Sequence, residues 1–97
     1  MLNQVVLVGR IEKIEKGEND TKMSIKVQRG YKNLNGEYDT DIIPTILKGM
    51  IANNTLEYCK INDVVGIKGK LENRGNQLMV LATELTFLSS KSIENEE

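Results

Sequence analysis

The chain has no histidine and no tryptophan, and only one proline, one cysteine, three tyrosines and one phenylalanine in 97 residues. Each shortage removes a class of function. Without histidine, the commonest general base and the commonest metal ligand are missing. Cys59 can form neither an intrachain disulfide nor, with no imidazole, the usual thiolate–imidazole pair. It reads as a packing residue, and a lone thiol fits a reducing compartment. A zinc site has no second cysteine to draw on, and no phosphate-loop pattern occurs. The chain therefore reads as a binding protein with no catalytic site, cofactor or metal.

Long apolar runs are also missing. The opening run, Val5 to Val8, is far short of the roughly 20 residues that span a bilayer, and no basic segment precedes it. Neither a membrane segment nor a secretory signal is expected, and a cytoplasmic location is. Asn53-Asn54-Thr55 matches a glycosylation acceptor, which is a chance match in such a compartment.

Charge of one sign is scarce too. The formal net charge is -1, from 13 basic and 14 acidic residues. One base (Lys91) and three acids (Glu94, Glu96, Glu97) lie beyond Leu88, so the body carries 12 and 11. Binding to a polyanion would depend on how the lysines cluster, not on their number.

Periodicity and turn chemistry place five extended segments and one helical one. Residues 3–14 are dense in Val, Leu and Ile and end at a turn, Gly17-Glu-Asn-Asp20. In residues 21–31, Met23, Ile25 and Val27 alternate with Lys22, Ser24, Lys26 and Gln28, the pattern of a half-buried strand. Asn33-Leu-Asn-Gly36 supplies the next turn. Residues 38–48 are apolar on both parities: Ile42 and Ile46 on one face, Ile43 and Leu47 on the other. In a small protein that suggests a face covered by a second subunit or a ligand. Pro44 should lie at a sheet edge or a bulge, because it has no N–H to donate.

Residues 50–58 read as two helical turns, with Ile51 above Thr55 and Asn54 above Tyr58. Lys60-Ile-Asn-Asp63 is a turn, and 64–71 is a fourth strand bent at Gly66 and Gly69. Asn73-Arg-Gly-Asn76 is a hairpin, and 77–88 is the fifth strand. The order β-β-β-α-β-β predicts an all-β, five-stranded Greek-key barrel, the OB-fold, with one short helix between strands 3 and 4. A single domain over residues 1–88 is expected, followed by a short, flexible acidic tail over 89–97.

Two motifs invite chemistry and are better explained without it. Asp39 and Asp41 share a strand face as a metal-binding pair would, but with no third ligand they read as solvated edge charges. Gly66-Ile-Lys-Gly69 has the spacing of a nucleic-acid clamp that joins two helices, whereas here it lies in a strand. What remains is a basic and aromatic stripe: Lys26, Arg29, Tyr31 and Lys32 on the second strand, Lys48 on the third, Lys60 after the helix, and Lys68, Lys70 and Arg74 around the fourth. Single strands are held by cations that track phosphates and by aromatic faces on which bases stack. The bland alternative is a set of solvated lysines. Tyr31 shares the parity of the core residues Met23, Ile25 and Val27. It is either a core cap or turned outward by a bulge near Arg29 and Gly30.

Three segments, in order over about residues 1–88, resemble the bacterial and phage-type single-stranded DNA-binding proteins. They are Leu2-Asn-Gln-Val-Val-Leu-Val-Gly-Arg-Ile11, Tyr31-Lys-Asn-Leu-Asn-Gly-Glu-Tyr-Asp-Thr-Asp-Ile-Ile43 and Glu57-Tyr-Cys-Lys-Ile-Asn-Asp-Val-Val-Gly-Ile-Lys-Gly-Lys-Leu71. The resemblance implies an OB-fold homo-oligomer, a tetramer or a dimer paired through its first strand. Such a protein coats single-stranded DNA in replication, recombination and repair. It implies a stacking role for Tyr31, with Lys32 as its basic neighbour and Arg74 as a basic residue after the fourth strand. It also puts Ile42 and Lys48 where aromatics are usual. The family's tryptophans and its acidic Pro-Phe tip are absent, so weak stacking and no tail-mediated recruitment of repair partners are expected. Two other readings remain: a protein-interaction module on the same scaffold, and an RNA-binding or primosome-type OB protein.

Overall fold

A computed structural model describes residues 1–90. The elements are β1 (Val5–Lys16), β2 (Thr21–Lys32), β3 (Tyr38–Leu47), α1 (Gly49–Tyr58), β4 (Val64–Arg74) and β5 (Gln77–Ser89). The strands close into a barrel in the order β1-β2-β3-β5-β4, with β4 returning to β1. This is the expected five-stranded barrel with its helix between β3 and β4. Every pairing is antiparallel except the short parallel contact of β3 with β5, Thr45 to Val80 and Ile46 to Leu81.

The length of β1 follows from its two jobs. Residues 5–10 pair with β4 and residues 10–16 with β2, with an irregularity between Ile11 and Lys13 where the strand turns the corner. Gly9 stands at that corner, where a Cβ would lie 2.3 Å from the carbonyl oxygen of Lys26. Gly69 serves the same purpose on the far side, with the Leu81 carbonyl oxygen 2.3 Å from its missing Cβ. Both are close approaches of backbone to backbone, which only glycine permits. Gly66 is different, since its nearest neighbour would be a Leu88 methyl at 3.7 Å.

The core is built from the inward parity of the strands: Ile11, Met23, Ile25, Leu47, Val65, Ile67 and Val80, with Ala52 of α1 and Cys59. The first strand's inward residues, Val5 and Leu7, pack against this cluster, whereas Val6 and Val8 face outward and are exposed. The turn before β4 docks on the middle of β1: the Ile11 N–H donates to the Asp63 carbonyl and the Asn62 N–H to the Ile11 carbonyl. At the other end, Gly75, at positive φ, opens a two-residue loop between Arg74 and Gln77.

The double apolar character of β3 has an internal explanation. Ile46 is only 2% exposed, because β3 meets β5 at Thr45 and Ile46. Barrel closure within one chain buries it, and no second subunit or ligand is needed there. Ile42 lies before that contact and stays 46% exposed. Pro44 also precedes it, opposite Ser24 of β2, at the edge where a missing N–H costs no rung. β5 runs to Ser89, one residue past the expected end of the domain. The acidic Glu94, Glu96 and Glu97 of the expected tail lie outside the described residues.

Candidate nucleic-acid interface

The expected basic stripe divides into three groups. The first lies on β2 and β3. Lys26 stands directly opposite Ile42, with Gln28 opposite Thr40 next along the same face. Lys22, on the same parity, stands opposite Ile46. Lys22, Gln28 and Thr40 were absent from the expected stripe, although the alternation that placed Lys26 outward also places Lys22 and Gln28 there.

Beyond Gln28 the ladder breaks, and pairing resumes at Lys32 with Tyr38, so that Arg29, Gly30 and Tyr31 oppose Asp39 alone. This bulge settles the parity of Tyr31. Its side chain is 65% exposed and does not cap the core. Tyr38, which the stripe also omitted, is a half-exposed ring with the Lys32 ammonium 5.8 Å above its centroid. Asn33 fixes the connecting turn. Its side-chain oxygen accepts from the N–H groups of Asn35 and Glu37, and its side-chain nitrogen donates to Asp39 at 3.1 Å.

Arg29 is on this arm but not free. Its Nε and Nη2 donate to the two oxygens of Asp41 at 3.0 and 2.9 Å, and Nη1 lies 3.7 Å from Asp39. The fork raises the guanidinium's already high pKa and holds the Asp41 carboxyl below its usual range. Asp39 and Asp41 do share a face, and arginine occupies that face.

The second group is Lys68 and Lys70 on β4. They flank the N-terminal segment: Lys68 stands opposite Val6, and the Asn3 side chain bonds both backbone groups of Leu71. β1 lies between β4 and β2 in the barrel, so one strand separates these lysines from Lys26 and Lys32.

The third group sits at element ends. Lys48 precedes α1, and the Lys60 N–H donates to the Asp63 carboxylate in the turn before β4. Arg74 lies where the β4–β5 hairpin approaches the β1–β2 loop. There it donates to Glu72 at 2.7 Å and to Asp20 at 3.2 Å, ties that raise its pKa. A cleft of about 500 Å³ opens between the two loops, lined by Lys16, Asp20, Lys22, Ile46 and Arg74 among others. Two of the expected cations, Arg29 and Arg74, thus already answer carboxylates.

Cys59 is buried at the end of α1, and burial pushes its thiol pKa up, consistent with packing. No helix among the described residues is long and apolar enough to cross a membrane. The surface offers lysines at intervals along β2, one exposed aliphatic side chain and two aromatic rings on a bulged arm. Chemically it can hold a chain of phosphates and unstacked bases.

No family model matches the chain. Individual relatives do. Single-stranded DNA-binding protein 1 of Clostridium acetobutylicum is 34% identical over 106 residues, covering 93% of this chain and 96% of its own. Single-stranded DNA-binding protein B of Bacillus subtilis is 34% identical over 109 residues, covering 97% and 96%. Among solved structures, a small single-stranded DNA binding protein from Mycoplasma pneumoniae superposes with a TM-score of 0.73 at 22% identity, covering 88% of this chain and 92% of its own. A mitochondrial single-stranded DNA binding protein from S. cerevisiae gives 0.75 at 19%, covering 93% and 99%.

Proposed function

The chain belongs to the family of single-stranded DNA-binding proteins, and from that membership we propose that it coats single-stranded DNA without reading its sequence. The observation that carries the reading is the bulge on β2. It turns Tyr31 out to solvent beside Lys32, at the end of a face that already bears Lys22, Lys26 and Ile42. The three lysines track phosphates while the ring and the aliphatic surface take bases. Lys48, Lys60, Lys68 and Lys70 add positive potential at the margins, and Arg29 and Arg74 act chiefly through their ion pairs. The protein works without catalysis, in the cytoplasm, in replication, recombination and repair, through a single domain that ends near Leu88.

It acts as a homo-oligomer through its first strand. Support comes from Val6 and Val8, exposed on β1, and from Leu88, whose methyl lies beside the Gly66 position that pairs with Val8. These side chains form an apolar strip on the outside of the barrel, which meets the β2–β3 face where Val8 lines one pocket with Lys26, Gln28 and Thr40.

The test is a titration with oligo-dT at low and moderate salt, with solution mass measured in parallel. Binding is expected at low salt. For three phosphate contacts on a single strand, log K should fall with log salt at a slope of about -2. No binding at low salt would overturn the reading, and a monomeric mass would overturn the oligomer.

A further inference from the structure

The arm beyond Gln28 is poorly made for holding phosphate. Residues 28–41 contain two cations, Arg29 and Lys32, against three acids, Glu37, Asp39 and Asp41. A phosphate arriving at Arg29 must displace a carboxylate that already holds it by two charge-assisted bonds. Yet this is where the bulge exposes an aromatic ring.

The geometry of the fork resolves the contradiction. Nε and Nη2 both bond Asp41, and Nη1 is turned toward Asp39, so the edges of the guanidinium are committed. A bidentate fork lies in the guanidinium plane and leaves the two faces unused. The side chain remains 41% exposed, and Tyr31 stands two positions along on the same bulge. Exposed ion pairs add little stability, so folding alone is a weak reason for two acids to converge on one arginine. Held flat and with its charge answered, such a group is a platform: bases stack on guanidinium planes as they do on rings.

We propose that Arg29, fixed by Asp41 and Asp39, is a base-stacking residue adjacent to Tyr31 and not a phosphate contact. Single-stranded nucleic acid then passes from Lys22 and Lys26 onto an arm that binds it chiefly through its bases, with Lys32 as the arm's one phosphate contact. This rests on the single-stranded DNA reading and specifies how one part of that surface works.

Two ligands of equal length separate the possibilities: oligo-dT, and an abasic oligomer with the same phosphates and no bases. Wild type is compared with R29K, which keeps the charge and loses the plane, and with R29A/D41N, which removes the forked pair without changing the arm's net charge. Both variants should bind oligo-dT about tenfold more weakly than wild type, with an unchanged salt slope. On the abasic oligomer they should match wild type within about twofold.

Wild-type affinity of both variants for oligo-dT would overturn the assignment while leaving the DNA-binding reading intact. Equal losses on both ligands, or a shallower salt slope in R29A/D41N, would make Arg29 a phosphate contact and overturn it too. Failure of wild type to bind oligo-dT at low salt sinks both readings together. Thermal midpoints are measured alongside, and R29K decides the matter if the double variant does not fold.

Discussion

Gly9→Ala is expected to cost the domain about 3 kcal/mol, at the upper end of the usual overpacking range. For a domain of this size that corresponds to a fall in thermal midpoint of about 12–24 °C. The added Cβ would stand 2.3 Å from the Lys26 carbonyl oxygen and 2.7 Å from the Ile25 Cγ2. Neither neighbour can easily retreat. Lys26 is held on both sides, opposite Arg10 of β1 and Ile42 of β3, and Ile25 is fully buried in the core. The strain therefore falls on the corner at which β1 leaves β4 for β2, on which closure of the barrel depends. Gly30→Ala is the matched control, because among the described residues nothing lies within 4 Å of its Cβ position. That substitution should leave the midpoint unchanged or raise it slightly through the unfolded chain. Melting curves by circular dichroism decide it. Equal midpoints for the two variants would mean that the corner can relax and that the close approach at Gly9 is not what shapes β1.

The two glycines also mark how far the sequence could be read. Period-2 alternation placed β2 to within a residue, because half-buried strands expose one parity and hide the other. The turns at Gly36 and Gly75 are readable because few residues tolerate their backbone angles. The alternation also posed the right question about Tyr31, and the bulge answered it. Gly66 and Gly69 looked alike in the sequence, but only Gly69 faces an approaching backbone. That difference is set by the register of β4 against β5, which no local pattern encodes.

Long-range pairing was less accessible still. Arg29 and Asp41 are twelve positions apart, and Arg74 and Asp20 are fifty-four apart. Each was legible as a charge and illegible as half of a pair. The burial of Ile46 is legible but what covers it is not, since the parallel contact of β3 with β5 joins segments that the sequence separates by a helix and a strand. The fold was therefore nearly complete in the sequence, whereas the site was legible only as a list of residue types. Which cations remain available to phosphate depends on these side-chain pairings.

Tyr31→Ala should weaken binding to oligo-dT by about 1–3 kcal/mol, or roughly five- to 150-fold, the loss of one stacked base. The salt slope should not change, since no phosphate contact is removed. Tyr31→Phe, which keeps the ring, should bind nearly as wild type. The effect is expected at Tyr31 more than at Tyr38 for a geometric reason: the Lys32 ammonium sits over the Tyr38 ring, so one of its faces is already taken. Tyr31 is the more exposed of the two, and it stands on the bulge and not in the ladder. Lys26→Ala makes the opposite signature, a modest loss with a slope shallower by about 0.7, as one phosphate contact on a single strand requires. The pair of variants thus separates stacking from charge on a surface where both are sparse. If Tyr31→Ala bound oligo-dT like wild type while Lys26→Ala lost both affinity and slope, the arm would play no part in holding DNA. Its bulge, its exposed ring and its paired arginine would then belong to contacts with another protein.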